Sequence, residues 1–458
     1  KKGGAIPPGF RESAKLKSER KMLQTLINAF KVKDIRVKVW KMLLLLLIFR
    51  IGCYIPIPGL DSTVFSENIK GNDFLTLMNS ITGGSLANGT FFALGIGPYI
   101  NASIIMQLLC VGIPALERLS KQGEEGQKKI AQYTRYCTIL LAVIQSIGII
   151  VNFANESGAI EKHLFFDSMF LAGFFMTVVY TAGAFLVMWL GERITDYGVG
   201  NGQSMIIFVG ILATAGQAII AKIADIPNDS DAIWQLVAFV IVCAVVFFAV
   251  VYVDLSERKV PVQYAKQIKG RKMYGGQSSV IPIRISGSGV MPLIFAFSIL
   301  SFPQMISGLF WPNGGFYKWW TKWMTGSSTI AGGRILYSFV LCLLIFAFSF
   351  FYAQMQFNPE DVSKSIQQNG GFIQGIRPGK ATENYLKKIS NRITLFGAIY
   401  LSLVAFIPAL AFAWADPTGT LVNVFSTTGI LIVVSVAMEF EKQLQAQMMM
   451  KNYKGFLK

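Results

Sequence analysis

The sequence predicts an all-α integral membrane protein with ten transmembrane helices. Three observations carry that prediction. Hydrophobic residues make up 53% of the 458 and charged ones only 15%, where a soluble chain carries about 25% charge. Ten apolar stretches approach the roughly 20 residues that a helix needs to cross a bilayer core of about 30 Å. The formal net charge of +17 concentrates in alternate loops between those stretches. A row of soluble domains is excluded.

The stretches run near residues 39–56, 90–110, 132–152, 168–190 and 199–221, then near 232–253, 289–309, 335–357, 393–414 and 421–438. No cleavable signal opens the chain, because the first apolar run starts near residue 39 and leads into Pro56 and Pro58 instead of a small-residue cleavage site. Residues 1–21 read as a flexible basic tail. Cys53, Cys110, Cys137, Cys243 and Cys342 lie far apart in apolar sequence. They form neither a disulfide framework nor a metal-ligand spacing, and read as packing residues. The single histidine, His163, falls in a loop with no ligand cluster beside it.

Loop charge sets the orientation. Residues 1–41 hold twelve Lys and Arg against three acids, and residues 256–286 hold seven against one. Residues 358–392, 114–135 and the tail from 439 are also net positive. With an even number of spans both termini share that basic face, the cytoplasmic one. On the opposite face Trp311, Trp319, Trp320 and Trp323 mark a segment lying at the membrane–water interface, where amphipathic indoles concentrate.

The span centres hold almost no ionisable groups. Arg50, Asp254, Arg334 and Glu439 fall near span ends, where they snorkel or cap. Proton- or sodium-coupled transporters place such groups at mid-membrane, so this absence weakens a small-solute transporter, the alternative reading. Enzymatic signatures are equally thin. GVGNG at 198–202 lacks the Lys and Ser/Thr of a phosphate-binding loop. No catalytic constellation and no cofactor motif is found.

Other features fit a pore. Residues 72–105 run from a short, weakly apolar piece through a Gly83-Gly84 break to a Pro-containing span, and a piece of about 12–15 residues is too short to span. Such a piece is either an extracellular loop helix or a re-entrant segment shielded by protein. Ile96 and Ile100, and likewise Gln203 and Ile207, are four apart and share a helix face. That spacing alone describes ordinary core or lipid-facing positions. The loops RKVPVQYAKQIKGRK (258–272) and GIRPGK (375–380) project Arg271, Lys272 and Arg377 from Gly/Pro turns. They read either as solvated positive-inside loops or as docking surfaces for acidic partners.

Six ordered motifs resemble the SecY family, the pore subunits of the bacterial protein-conducting translocon. They are FRIGCYIPIPGLD (49–61), FFALGIGPYINASIIMQLL (91–109), GQKKIAQYTRY (126–136), MWLGERITDYGVGNG (188–202), GRKMYGGQSSVIPIR (270–284) and FNPEDVSKSIQQNGGFIQGIRPGKAT (357–382). The resemblance implies two inverted five-helix halves closing as a clamshell on a central pore. They would occupy 39–221 and 222–438, preceded by a basic segment over 1–38 and followed by a cytoplasmic tail over 439–458. Docking loops would occupy 256–286 and 358–392.

Carried over by motif, the pore ring is Ile96, Ile100, Gln203, Ile207, Ile294 and Ile432. Gln203 departs from the family's aliphatic residue, which implies a wetter ring. Apolar side chains suit a ring because they hold no lasting hydrogen bonds to a passing chain and gate ions by dewetting. The plug would cover about 74–88, including Phe74, Leu75, Leu77, Met78, Ile81, Gly83 and Gly84. Asn101, Gln107, Gln145 and Ser298 would lie at a lateral gate between spans two and three and spans seven and eight. Arg271, Lys272 and Arg377 would meet the motor ATPase SecA or the ribosome. Small subunits SecE and SecG, signal sequences, secretory precursors and anionic lipids are the other implied partners, in a bacterial plasma membrane. The implied function is non-enzymatic: to pass unfolded polypeptides across the membrane and release apolar segments sideways into lipid.

Overall fold

Ten of the helices coincide with the ten apolar stretches. The computed structural model describes residues 32–58, 60, 79, 81–154, 169–226, 232–264, 267–269, 272–274, 278–285, 291–311, 314–324, 331–415 and 427–455. The ten are α1 (Lys33–Gly52), α2 (Gly97–Gly112), α4 (Glu124–Ala154), α5 (Met169–Tyr197), α6 (Gly202–Asp225), α7 (Ala232–Asp254), α8 (Met291–Phe310), α10 (Ala331–Gln356), α12 (Lys380–Ala415) and α13 (Thr427–Gly455). Three shorter helices, α3 (Pro114–Ser120), α9 (Gly315–Trp323) and α11 (Pro359–Gln368), sit between them. By length and composition seven of the ten can cross a membrane unaided, and α2 with α3 makes an eighth that bends by 105°.

Helix ends follow local chemistry. Asn201 caps α6, its side chain accepting from the Gln203 and Ser204 amides at 3.0 and 3.5 Å. Asn358 caps α11 in the same way, with Pro359 at the first helical position and Glu360 and Asp361 in the first turn. The second span begins later than expected, at Gly97, because residues 90–96 form turns through a left-handed Gly95 and Pro98 opens the helix. The expected tail over 439–458 is a continuation of α13 as far as Gly455.

Packing is inside out relative to a soluble protein. On α7 Trp234, Val240, Ile241, Val245 and Phe248 are exposed, as lipid-facing residues are, while Ser and Thr lie inside. Thr138, Ser146, Thr214 and Ser349 each donate to the carbonyl four residues back. That satisfies hydroxyls where water is absent. In the first half α2 packs on α4, α4 on α5, and α5 on α6 and α1. In the second, α10 packs on α8 and α12, and α7 on α12 and α13. The two sets meet where α6 touches α7 and α13, and where α4 touches α8.

The two basic loops fold together, which helical periodicity gave no reason to expect. Strands β1 (Glu257–Tyr264) and β4 (Ser278–Arg284) pair antiparallel, and β5 (Gly371–Phe372) joins the other edge of β1. β2 (Gln267–Lys269) and β3 (Lys272–Tyr274) pair antiparallel as a second, two-stranded sheet. Pro261 lies opposite Val280 of β4, in the part of β1 that β5 leaves uncovered, since β5 pairs only with Gln263 and Tyr264. Val260, Val262, Ile283, Ile366, Ile373 and Leu386 form the small core of this unit.

Candidate functional site

At the centre of the bundle one apolar cluster gathers residues from α1, α5, α6, α13 and the turns before α2. Ile96, Ile207 and Ile432 are buried within it, 1%, 4% and 5% exposed, and Ile100 and Ile294 pack at its margin. Five aliphatic residues far apart in sequence thus meet, from both sides of the bundle. Gln203 lies one turn before Ile207 and is half-buried. Its Cγ would be 3.2 Å from a methyl placed on Gly191.

The segment ahead of α2 is seated inside the bundle and not laid over its surface. Of the expected plug residues, Phe74, Leu75, Leu77 and Met78 lie outside the described residues. Ile81, Gly83 and Gly84 are described, and Thr82, Ser85 and Leu86 beside them are 1%, 0% and 1% exposed. Gly83 and Gly84 take φ of 73° and 88°, the left-handed region that admits glycine readily. The reversal they make exposes backbone groups, and neighbours satisfy them. Arg50 Nη1 donates to the Gly83 carbonyl at 3.3 Å, and Cys53 Sγ donates to the Thr82 carbonyl at 3.7 Å. Ser85 Oγ donates to the Cys53 carbonyl at 3.4 Å, and the Ala87 amide donates to Asn79 Oδ1 at 2.9 Å. On α6, Gly210 leaves room for the Ile81 carbonyl, which a methyl there would strike. Ile81 reaches the margin of the central apolar cluster.

Arg50 therefore holds this segment instead of snorkelling to the membrane surface. Its Nη2 also donates to the Tyr54 hydroxyl at 3.2 Å, which receives a second hydrogen bond from Gln217 Nε2 at 3.3 Å. Sequence alone placed Arg50 correctly near a span end and missed its target, because Gly83 is a distant backbone carbonyl.

The four polar residues expected at a gate have different settings. Asn101 and Ser298 are half-buried on α2 and α8. Gln145, on α4, is 3% exposed, and its Nε2 has no hydrogen-bond partner among the described residues. Gln107, on α2, accepts from the Tyr352 hydroxyl of α10 and donates to Ser103 Oγ at 3.1 Å. Around that contact Ile104, Phe295 and Tyr352 bury one another across α2, α8 and α10. Nothing in the aromatic run FSFFYAQMQF singles out Tyr352 for this contact.

Among the basic residues, Arg377 is exposed on a turn between left-handed Gly375 and Gly379. Thr382 Oγ1 donates to its carbonyl at 2.9 Å, and buried Ile373 anchors the turn. Lys272 begins β3, and Arg271 lies outside the described residues. Outside the membrane Lys121 and Lys364, each hydrogen-bonded one turn away, hold the Glu117 and Glu360 carboxyls below the ordinary carboxylate range. Among the described residues no three His, Cys, Asp or Glu side chains gather as a metal site.

A family model described as SecY matches residues 90–441. The protein translocase subunit SecY of Streptomyces scabiei is 41% identical over 451 residues, covering 95% of this chain and all of that one. Two solved structures share the fold at lower identity. One, of a protein-conducting channel, is 20% identical with a TM-score of 0.63 over 90% of this chain and 92% of its own. The other, Sec61 in the canine ribosome–channel complex from the endoplasmic reticulum, is 19% identical with a TM-score of 0.60 over the same shares. With ten helices at the ten predicted spans and an aliphatic knot at their centre, the chain belongs to the SecY family: a multi-pass membrane protein that is a protein-conducting channel subunit and not an enzyme.

Proposed function

We propose that unfolded secretory polypeptides pass through a ring of Ile96, Ile100, Gln203, Ile207, Ile294 and Ile432, and that residues 74–88 plug the resting pore. The observation that carries this reading is the meeting of those five isoleucines in one apolar cluster, against which the buried segment from Ile81 abuts. Close-fitting apolar side chains exclude water and ions yet part around a chain to which they hold no hydrogen bonds. The halves 39–221 and 222–438 swing about the α6–α7 connection. Apolar segments leave sideways between α2 and α4 on one side and α8 and α10 on the other, past Asn101, Gln107, Gln145 and Ser298.

The basic faces of 256–286 and 358–392, with Arg271, Lys272 and Arg377, dock the ribosome or the motor SecA. Sec61, a structural neighbour, occurs in a ribosome–channel complex, and cations at rigid turns suit RNA and acidic protein surfaces. SecE and SecG complete the channel, and the loop charge favours anionic lipids and a plasma-membrane orientation with both termini in the cytoplasm. Energy then comes from translation or from the motor.

Crosslinking tests the ring. A single Cys at position 96 or 432, in a chain freed of its five cysteines, faces a stalled secretory precursor carrying one Cys in mid-transit. Precursor-dependent disulfides at both positions are expected. Working translocation with no crosslink at either would remove these residues from the path.

A further inference from the structure

We propose that α9 is a lipid-binding helix lying in the headgroup layer at the end of the bundle far from the sheet, with Phe316 and Trp319 toward the acyl chains and Lys318 and Lys322 on the phosphates of anionic phospholipids. Its place follows from the chain. Strand β4 leads into α8, so α9 joins α8 to α10 at the end opposite the sheet. Charge there is anomalous. The other connectors at that end, residues 53–96, 155–168, 226–231 and 416–426, are each net acidic, whereas residues 311–334 hold Lys318, Lys322 and Arg334 and no acid. Lys and Arg are disfavoured on the face that the rest of the chain leaves acidic, so cations kept there point to an anionic partner.

The helix has three faces. Phe316, Trp319, Trp320 and Trp323 recur at the spacing of one helical face, and Lys318 and Lys322, four apart, share another. Trp320 packs against the apolar core between α7, α8, α10, α12 and α13. A methyl on Gly308 of α8 would come within 3.0 Å of the Tyr317 ring. That side belongs to the protein. Phe316 and Trp319 are exposed beside it, their rings 6.4 Å apart. Trp311 at the end of α8 and Trp234 near the start of α7 are exposed at the same end of the bundle, as in the aromatic belt of a membrane surface. Ile335, Phe339 and Leu343 form an exposed stripe down α10 from there, as lipid-facing residues do. A soluble acidic protein would match the lysines but leave the adjoining aromatic face uncovered. A headgroup layer matches both, apolar on one side and anionic on the other. Seated so, α9 braces the ends of α8 and α10 against the bilayer.

The test uses the full chain, freed of its five cysteines, in proteoliposomes. Every position changed is exposed, so the packed face of α9 stays intact. Phe316→Cys, Lys318→Cys and Trp319→Cys, each carrying a nitroxide, report collisions with lipid-soluble oxygen and with a water-soluble nickel chelate. Positions 316 and 319 should favour oxygen, and position 318 nickel. Nickel-favoured collisions at all three would place α9 in water, leave a soluble acidic partner as its occupant and overturn the lipid seat. A second arm reads the headgroup. Gly315→Cys carries a fluorophore at a site where a methyl meets nothing within 4 Å. Nitroxide-labelled phosphatidylglycerol should quench it at a mole fraction about fivefold below that of nitroxide-labelled phosphatidylcholine, the preference that one lysine confers near an anionic surface. Lys318→Gln with Lys322→Gln should abolish the preference while quenching by phosphatidylcholine persists. Equal quenching by the two lipids in the chain with both lysines would overturn the phosphate contacts. Inorganic phosphate, compared with chloride at equal ionic strength, should leave the preference intact. Its loss would make free phosphate the ligand and refute the lipid assignment.

Discussion

Replacing Gly210 with Ala tests whether the seated segment 81–83 is part of the seal proposed above. A methyl at 210 would overlap the Ile81 carbonyl oxygen and lie 2.9 Å from its carbon and 3.4 Å from the Gly83 nitrogen. All three are backbone atoms, so no side-chain rotation relieves the overlap and the segment 81–83 must lift. Overpacking of this kind costs about 1–3 kcal/mol. Alanine also favours the helix by about 1 kcal/mol, but that gain is present whether the segment is seated or not, and it cancels from the balance. The unseated fraction should rise about 5- to 140-fold. Lifting also strains the Arg50–Gly83 and Cys53–Thr82 contacts, which places the upper part of that range within reach. The assay is anion efflux from proteoliposomes with no precursor present. Gly216→Ala is the control on the same helix, since a methyl there meets nothing within 4 Å. If Gly210→Ala leaks no more than Gly216→Ala while both fold, the segment 81–83 is not part of the seal.

Three further outcomes are expected. Arg377→Glu should reduce translocation at least about tenfold by reversing a docking charge while insertion and folding persist, because the side chain is exposed and the Thr382 bond uses the backbone; pelleting of ribosomes with vesicles reads the docking directly. Gln203→Ile should lower the resting ion leak, and an unchanged leak would place the half-buried amide off the ring. Lys121 and Lys364 depress Glu117 and Glu360, so their contribution is full above the ordinary carboxylate value of 4.5 and is lost as pH falls through the lower folded values; proteolysis of residues 114–124 and 358–370 should stay constant from neutral pH down to that range.

Much of this molecule is legible in one dimension, for a physical reason. A bilayer offers no hydrogen bonds to the backbone, so each crossing must be a helix of sufficient apolar length, and ten such lengths can be counted along the chain. Charge asymmetry is equally local, since each loop's Lys and Arg are contiguous. Caps such as Asn358-Pro359 lie next to the helices they start. Motif resemblance supplied the isoleucine set, which spacing alone left as plain core.

What the sequence could not carry were encounters between distant residues. Pairing of β1 with β5 joins two loops more than a hundred residues apart, and neither has the period or length to announce a sheet without the other. Arg50 reads as a span-end cation until the fold brings the Gly83 carbonyl to it. Tyr352 and Gln107 are 245 residues apart, each an unremarkable polar group in an apolar helix. Composition and local pattern determined that this chain is a ten-helix membrane protein with a basic face. Only packing decided which backbone carbonyl an arginine would hold and which hydroxyl would bridge α2 and α10, because both depend on helix rotation about axes that lipid leaves free and neighbouring helices fix.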